Sequence, residues 1–114
     1  MTELPTPSTA DLDVGAVLAA LADPLRRAVT ADLYRRADAE HACRTFDLPV
    51  AKSTRTHHWR VLREAGIVRQ RDLGNGSAVR LRRADLDERF PGLLASVVGA
   101  VEAERRPAAQ TSST

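Results

Sequence analysis

The sequence predicts a mainly α-helical domain carrying one small β-hairpin, and three observations lead there. Val14, Val17, Leu18 and Leu21, and again Leu94, Val97, Val98 and Val101, recur at i, i+3, i+4, i+7, which places each set on one helix face. Residues 53–65 read as a short helix whose N-terminal half is cationic and rich in hydroxyls. That helix runs directly into two strand candidates, 67–72 and 77–82, joined by Leu73-Gly74-Asn75-Gly76. A short helix followed by a basic hairpin is the winged helix-turn-helix arrangement.

Taken in order, residues 1–10 show no periodicity and read as a flexible tail. The domain proper spans 11–106, and residues 107–114 read as a second flexible tail. The first helix runs from Asp11 to about Ala22. Asp23 can cap the next one, with Pro24 at its first position, where the missing amide costs nothing. Leu25, Ala28, Val29 and Leu33 form that second helix's inner stripe, and Arg26-Arg27 lie off it. A scaffold helix should follow, yet Ala39–Arg44 leaves room for only a turn or two. Pro49 forbids regular helix across it and biases Leu48 towards extended geometry. The reading is a short helix around 39–45, then an extended lead in which Phe46, Leu48 and Val50 alternate.

In the next helix Ser53 and Thr54 are N-cap types, and Gly66 suits the left-handed position past its end. His58, Leu62 and Ala65 make its core stripe with Trp59 beside them, while Arg55, Thr56, Arg60 and Arg63 fall elsewhere around the axis. In the hairpin, Asn75-Gly76 supplies the positive φ values that tight turns need. Val79 and Leu81 alternate with Arg80 and Arg82, giving one apolar and one basic face. Asp85–Phe90 forms a brief helix before Pro91-Gly92, and the last helix follows.

Charge is distributed unevenly. Residues 52–83 hold nine Lys and Arg against Glu64 and Asp72, a net +7, in a chain whose total is +2. One third of the chain is a cation, the electrostatic footprint of a nucleic-acid face. The two apolar terminal helices offer more sticky surface than one small core absorbs. A twofold dimer pairing them resolves this, with Val14, Val17, Leu18, Leu21, Leu94, Val97, Val98 and Val101 at the interface.

The run Ser53-Thr54-Arg55-Thr56-His57-His58-Trp59-Arg60-Val61-Leu62-Arg63-Glu64-Ala65-Gly66-Ile67-Val68 resembles the recognition-helix signature of the ArsR/SmtB family. Leu21-Ala22-Asp23-Pro24-Leu25-Arg26-Arg27 resembles the same family's "leu-ala-asp-pro-x-arg" helix start. With the hairpin, the likeness covers roughly residues 11–105, two motifs in the right order. It implies a homodimeric bacterial transcriptional repressor.

The DNA-contact candidates are therefore Lys52, Ser53, Thr54, Arg55, Thr56, His57 and Arg60 on the helix, and Arg69, Arg71, Asn75 and Arg80 on the wing. Arg55 is the choice for base readout, because a guanidinium can bond bidentately to guanine. Lys52, Ser53, Thr54 and Arg60 read as phosphate clamps, and His57 faces outward within reach of phosphate. Arg82 and Arg83 read as surface, His58 as a core histidine and Trp59 as packing. The bland alternative for the whole set is a solvated helix face.

His41 and Cys43 suggest a metal or thiol sensor, but zinc wants about four ligands with thiolates prominent. Cys43 is the sole cysteine, so no metal is expected. No phosphate-cradling glycine loop, nucleophile elbow or acid pair is present, so neither enzyme activity nor a cofactor is expected. No apolar run approaches a membrane span and residues 1–10 lack a leader's pattern, so the expected location is cytoplasmic. The expected partners are double-stranded DNA, a second copy of the chain, and a small-molecule effector that the sequence leaves open. Two rival functions are an interaction module using the apolar terminal helices and a repressor responding through His41 and Cys43.

Overall fold

Two aspartates set where the chain first turns helical. In the computed structural model, which describes residues 2–106, Asp13 accepts from the Ala16 amide and opens α1 (Val14–Leu21). Asp23 accepts from the Arg26 amide and opens α2 (Pro24–Arg35), with Pro24 in the first turn. Each carboxylate satisfies an amide that a helix start leaves unpaired. Asp11, expected inside the first helix, instead ends a 3-10 turn over Thr9–Asp11. Arg26 and Arg27 close α1 from the other end. Arg26 Nε donates to the Ala20 carbonyl at 2.7 Å, and Arg27 Nη1 donates to Leu21 and Ala22 at 3.0 and 2.8 Å. They supply donors to carbonyls that would otherwise be orphaned.

The hairpin of β3 (Val68–Asp72) and β4 (Ser77–Leu81) carries a further strand on each edge. Strand β1 (Thr2–Glu3) pairs antiparallel with β3, and β2 (His41–Ala42) with β4, in the order β1-β3-β4-β2. Residues 2–7, expected to be part of a flexible tail, are thus tied down. Leu4 N–H donates to Gln70, Thr6 Oγ1 to the Arg63 carbonyl, and Arg82 Nη1 to Pro7 and Thr6. An exposed hairpin edge is a row of unpaired backbone groups, and these segments cover it. The short helix expected over 39–45 reduces to β2 and a 3-10 turn at Cys43–Thr45. The extended lead is as expected, with Phe46 and Leu48 pointing into the core. At the hairpin turn, positive φ falls on Gly74 and Gly76 rather than on Asn75. The Gly74 amide bonds Asp72 Oδ1 at 2.8 Å, so the aspartate sets the turn.

Helices α3 (Lys52–Glu64), α4 (Arg83–Arg89) and α5 (Leu93–Arg105) complete the domain, a winged helix-turn-helix. Helix α2 packs against α1, α5 and β4, and it buries Val29, Thr30, Ala31 and Leu33. Thr30 is satisfied through its own helix, donating to the Arg26 carbonyl at 2.9 Å. One core joins all layers, from Leu12 and Val17 through Ile67 and Val79 to Leu94 and Val101. The residues expected at the interface differ in how far this single chain covers them. Val17, Leu21, Leu94, Val98 and Val101 are buried within the single chain and Val97 is half-buried, leaving Val14 and Leu18 exposed. Helical periodicity marks which face is buried, but not whether the burying surface belongs to the same chain or to another. Residues 107–114, expected to be flexible, lie outside the described residues.

Candidate nucleic-acid interface

Helix α3 begins at Lys52, with Ala51 at the cap position and no side-chain cap. Ser53 and Thr54 therefore sit in the first turn, exposed, rather than capping it. The helix ends on a Schellman motif: Ile67 N–H bonds the Leu62 carbonyl at 2.9 Å and Gly66 N–H bonds Arg63 at 3.0 Å, with Gly66 at φ +84°. Trp59 and Leu62 are buried and His58 is half-buried. Trp59 meets the Phe46 ring edge-on at 5.5 Å, and Arg36 lies 3.9 Å over the far ring. His58 Nδ1 accepts from Arg26 Nη1 at 3.1 Å, tying α3 to α2.

What this anchoring leaves outside is a stripe of Ser53, Thr56, His57 and Arg60, with Lys52 and Thr54 on its flanks, all exposed. The stripe has the spacing i, i+3, i+4, i+7, the mirror of the buried face. Arg55 is not part of it. It precedes Trp59 and Leu62 by one and two turns, so it lies on their side of the axis. It is half-buried, with Nη1 donating to the Val50 carbonyl at 2.9 Å. This placement counts against Arg55 as the residue that reads bases.

The wing is electrostatically different from the helix. Arg69 pairs with Glu3 and Asp85 at 3.3 and 3.5 Å, Arg80 with Asp38 at 3.6 Å, and Arg71 bidentately with Glu40 at 3.0 and 2.5 Å. The Arg71 guanidinium holds the Glu40 carboxyl below its usual range. Burial pulls Asp85 upward, but hydrogen bonds from Arg82 and Thr9 outweigh it and the net direction is down. By contrast, among the described residues no carboxylate lies within ion-pair distance of Lys52, Arg55, Arg60 or Arg63. Compared with the wing strands, α3 thus keeps its positive charge unpaired. Between its N-terminal half and the hairpin turn lies an open cleft of about 520 Å³, onto which Lys52, Arg55, Thr56 and Asn75 all face. Asn75 is the wing candidate that shares this cleft with the helix cations.

The fold has a solved counterpart. The chain is similar to the structure of an ArsR-like transcriptional regulator from Rhodococcus sp. RHA1, at 24% identity and a TM-score of 0.52, with 80% of each chain covered. No family model matches the sequence, and no curated relative does. At that identity the likeness speaks for the fold.

Two further features bear on the site. A chain of hydrogen bonds runs from α3 through both strands: Arg63 to Gln70 at 2.8 Å, Gln70 to Ser77 at 3.1 Å, and Ser77 to Cys43 Sγ at 3.1 Å. It couples the helix to the wing, and sequence reading missed it because its members are far apart in the chain. Burial raises the Cys43 thiol despite the Ser77 contact, the wrong direction for a reactive thiolate. His41 Nε2 is engaged by the Ala37 carbonyl at 2.8 Å. Among the described residues no three His, Cys, Asp or Glu side chains group to hold a metal. Arg82, expected at the surface, is buried. Its Nε bonds Asp85 and its Nη1 bonds Thr6 and Pro7, because β4 ends there and α4 folds over it.

Proposed function

We propose that the chain is a DNA-binding transcriptional regulator, a homodimeric repressor that reads a palindromic operator with α3. The observation that carries this reading is the exposed stripe Ser53, Thr56, His57 and Arg60, flanked by Lys52 and free of any ion pair. Hydroxyls and cations of this kind contact phosphates and base edges in the major groove. In this reading Thr56, His57 and Arg60 meet bases, Lys52, Ser53 and Thr54 hold the backbone, and Asn75 supports them from the wing tip. Arg55 shapes the cleft and positions the helix start. Arg69, Arg71 and Arg80 contact phosphate only after leaving their carboxylates. The named function of the Rhodococcus regulator agrees with this assignment. Two copies of α3 would enter successive major grooves roughly 34 Å apart.

The dimer is part of the same proposal, as is action in the cytoplasm. Among the described residues no helix is long and apolar enough to cross a membrane. Support for pairing comes from α1, where Val14 and Leu18 are 43% and 48% exposed, and from the uncharged outer side of α5, with Ala95, Ser96, Gly99, Ala100 and Ala103. A small-molecule effector remains part of the proposal as an unnamed partner, and no cofactor is invoked.

Fluorescence anisotropy on operator DNA against salt tests this reading. About two cationic phosphate contacts per dimer, from Lys52 of each copy, give a log–log slope near −2. Recruitment of the wing arginines to about eight contacts steepens it to about −7. A flat response overturns the proposal.

A further inference from the structure

The antiparallel register places Arg69 opposite Arg80 and Gln70 opposite Val79. Cross-strand partners share a sheet face and successive residues alternate, so the two arginines leave one face and Gln70 leaves the other. Gln70 accepts from Arg63 of α3, which makes its face the recognition-helix side. The arginine pair is turned away from it. Like charges directly opposite each other repel, and something must hold them there. Glu3, Asp38 and Asp85 do so at 3.3, 3.6 and 3.5 Å, each beyond the roughly 2.8 Å of a strong charge-assisted bond.

Two more arginines reach the same place. A pocket of about 120 Å³ at the base of the wing is bounded by Asp38, Arg69, Arg80, Arg82, Arg83 and Asp85, four guanidinium groups against two carboxylates. Arg82 is 3% exposed, and its Nη2 has no hydrogen-bond partner. Arg83 donates from Nη2 to the Tyr34 carbonyl at 2.6 Å while its buried Nε also has none. Buried polar groups are almost always satisfied, and an unsatisfied cationic donor is among the most expensive exceptions. Both nitrogens are closed to solvent, so they add positive charge to the pocket wall, while the guanidinium groups open to an acceptor with several oxygens are those of Arg69 and Arg80. The volume is enough for one tetrahedral oxyanion.

We propose that this pocket binds a phosphate-type oxyanion, bridging Arg69 and Arg80 and facing Arg82 and Arg83. The phosphoryl group has two sources, free inorganic phosphate or a backbone phosphate of bound DNA, and the test separates them. The full chain is titrated with sodium phosphate against sodium chloride at matched ionic strength, following the arginine Nε–H signals and the backbone amides of 80–85 by NMR. Free phosphate as ligand predicts saturable shifts specific to phosphate. In the double variant Arg69→Gln, Arg80→Gln these weaken by about tenfold or more, the loss of a charge-assisted bond. Both side chains are about half exposed, so the variant folds, and an unchanged thermal midpoint checks this. DNA backbone as ligand predicts no phosphate saturation, but a salt slope for DNA binding shallower by about 1 per protomer in the double variant. The free-anion arm stands whether or not the chain binds DNA. Saturation that the double variant leaves unchanged, or no saturation together with an unchanged salt slope, overturns the proposal.

Discussion

At Gly66 the backbone turns out of α3 at φ +84°, and a Cβ built there would lie 2.1 Å from Leu12 Cδ2. Leu12 is buried, so it has little room to give. Gly66→Ala should therefore cost about 1–2 kcal/mol for the left-handed backbone and about 1–3 kcal/mol more for overpacking. Urea unfolding measures this, and a loss below about 0.5 kcal/mol would contradict it. Asp23 makes a pH-dependent contribution. The Arg26 amide lowers its pKa, so its stabilisation is complete above the unfolded carboxylate value and is lost as pH falls through the folded one. Asp23→Ala should cost about 1 kcal/mol at neutral pH. Unfolding curves of parent and variant should converge as the medium is acidified below the folded pKa, and a gap of constant size would refute the cap. The placement of Arg55 was legible too. Its spacing to Trp59 and Leu62, one and two turns on, puts it on their side of the axis.

At the scale of elements, α1, α2, α3 and α5 were readable because each repeats its pattern over two or more turns. Strands β1 and β2, two residues each, were not. So short a segment carries no period, and only the open edges of the hairpin call for it. The strap formed by residues 2–7 has a measurable consequence. It supplies the Thr6 and Pro7 oxygens to buried Arg82, and the Pro5 carbonyl accepts from Arg63 Nε at 3.2 Å. Deleting residues 2–7 should lower stability by about 2–4 kcal/mol, since a buried guanidinium loses its acceptors. A flexible tail would leave the urea midpoint unmoved.

For the whole molecule, the surplus of +7 over residues 52–83 overstated the field that the wing presents. Glu3, Asp38, Glu40 and Asp85 come from outside residues 52–83 and settle on Arg69, Arg71 and Arg80, so α3 keeps unpaired charge that the wing strands do not. The proposed dimer depends on what remains uncovered. Leu18→Glu, on the exposed side of α1, should convert dimer to monomer in sedimentation equilibrium while the far-UV spectrum stays the same. The same substitution on a chain that is already monomeric would change nothing, and that result would remove the dimer.

Sequence alone determined the five α-helices, the cap at Asp23, the turn at Gly66 and the hairpin, because these depend on contacts within a few residues. Only the folded chain decided which of the apolar stripes one core absorbs, which arginines keep their charge free, and how the N-terminal strand locks the wing. Those outcomes depend on partners tens of residues distant, and a linear pattern records that a side chain is apolar or charged without recording what it meets.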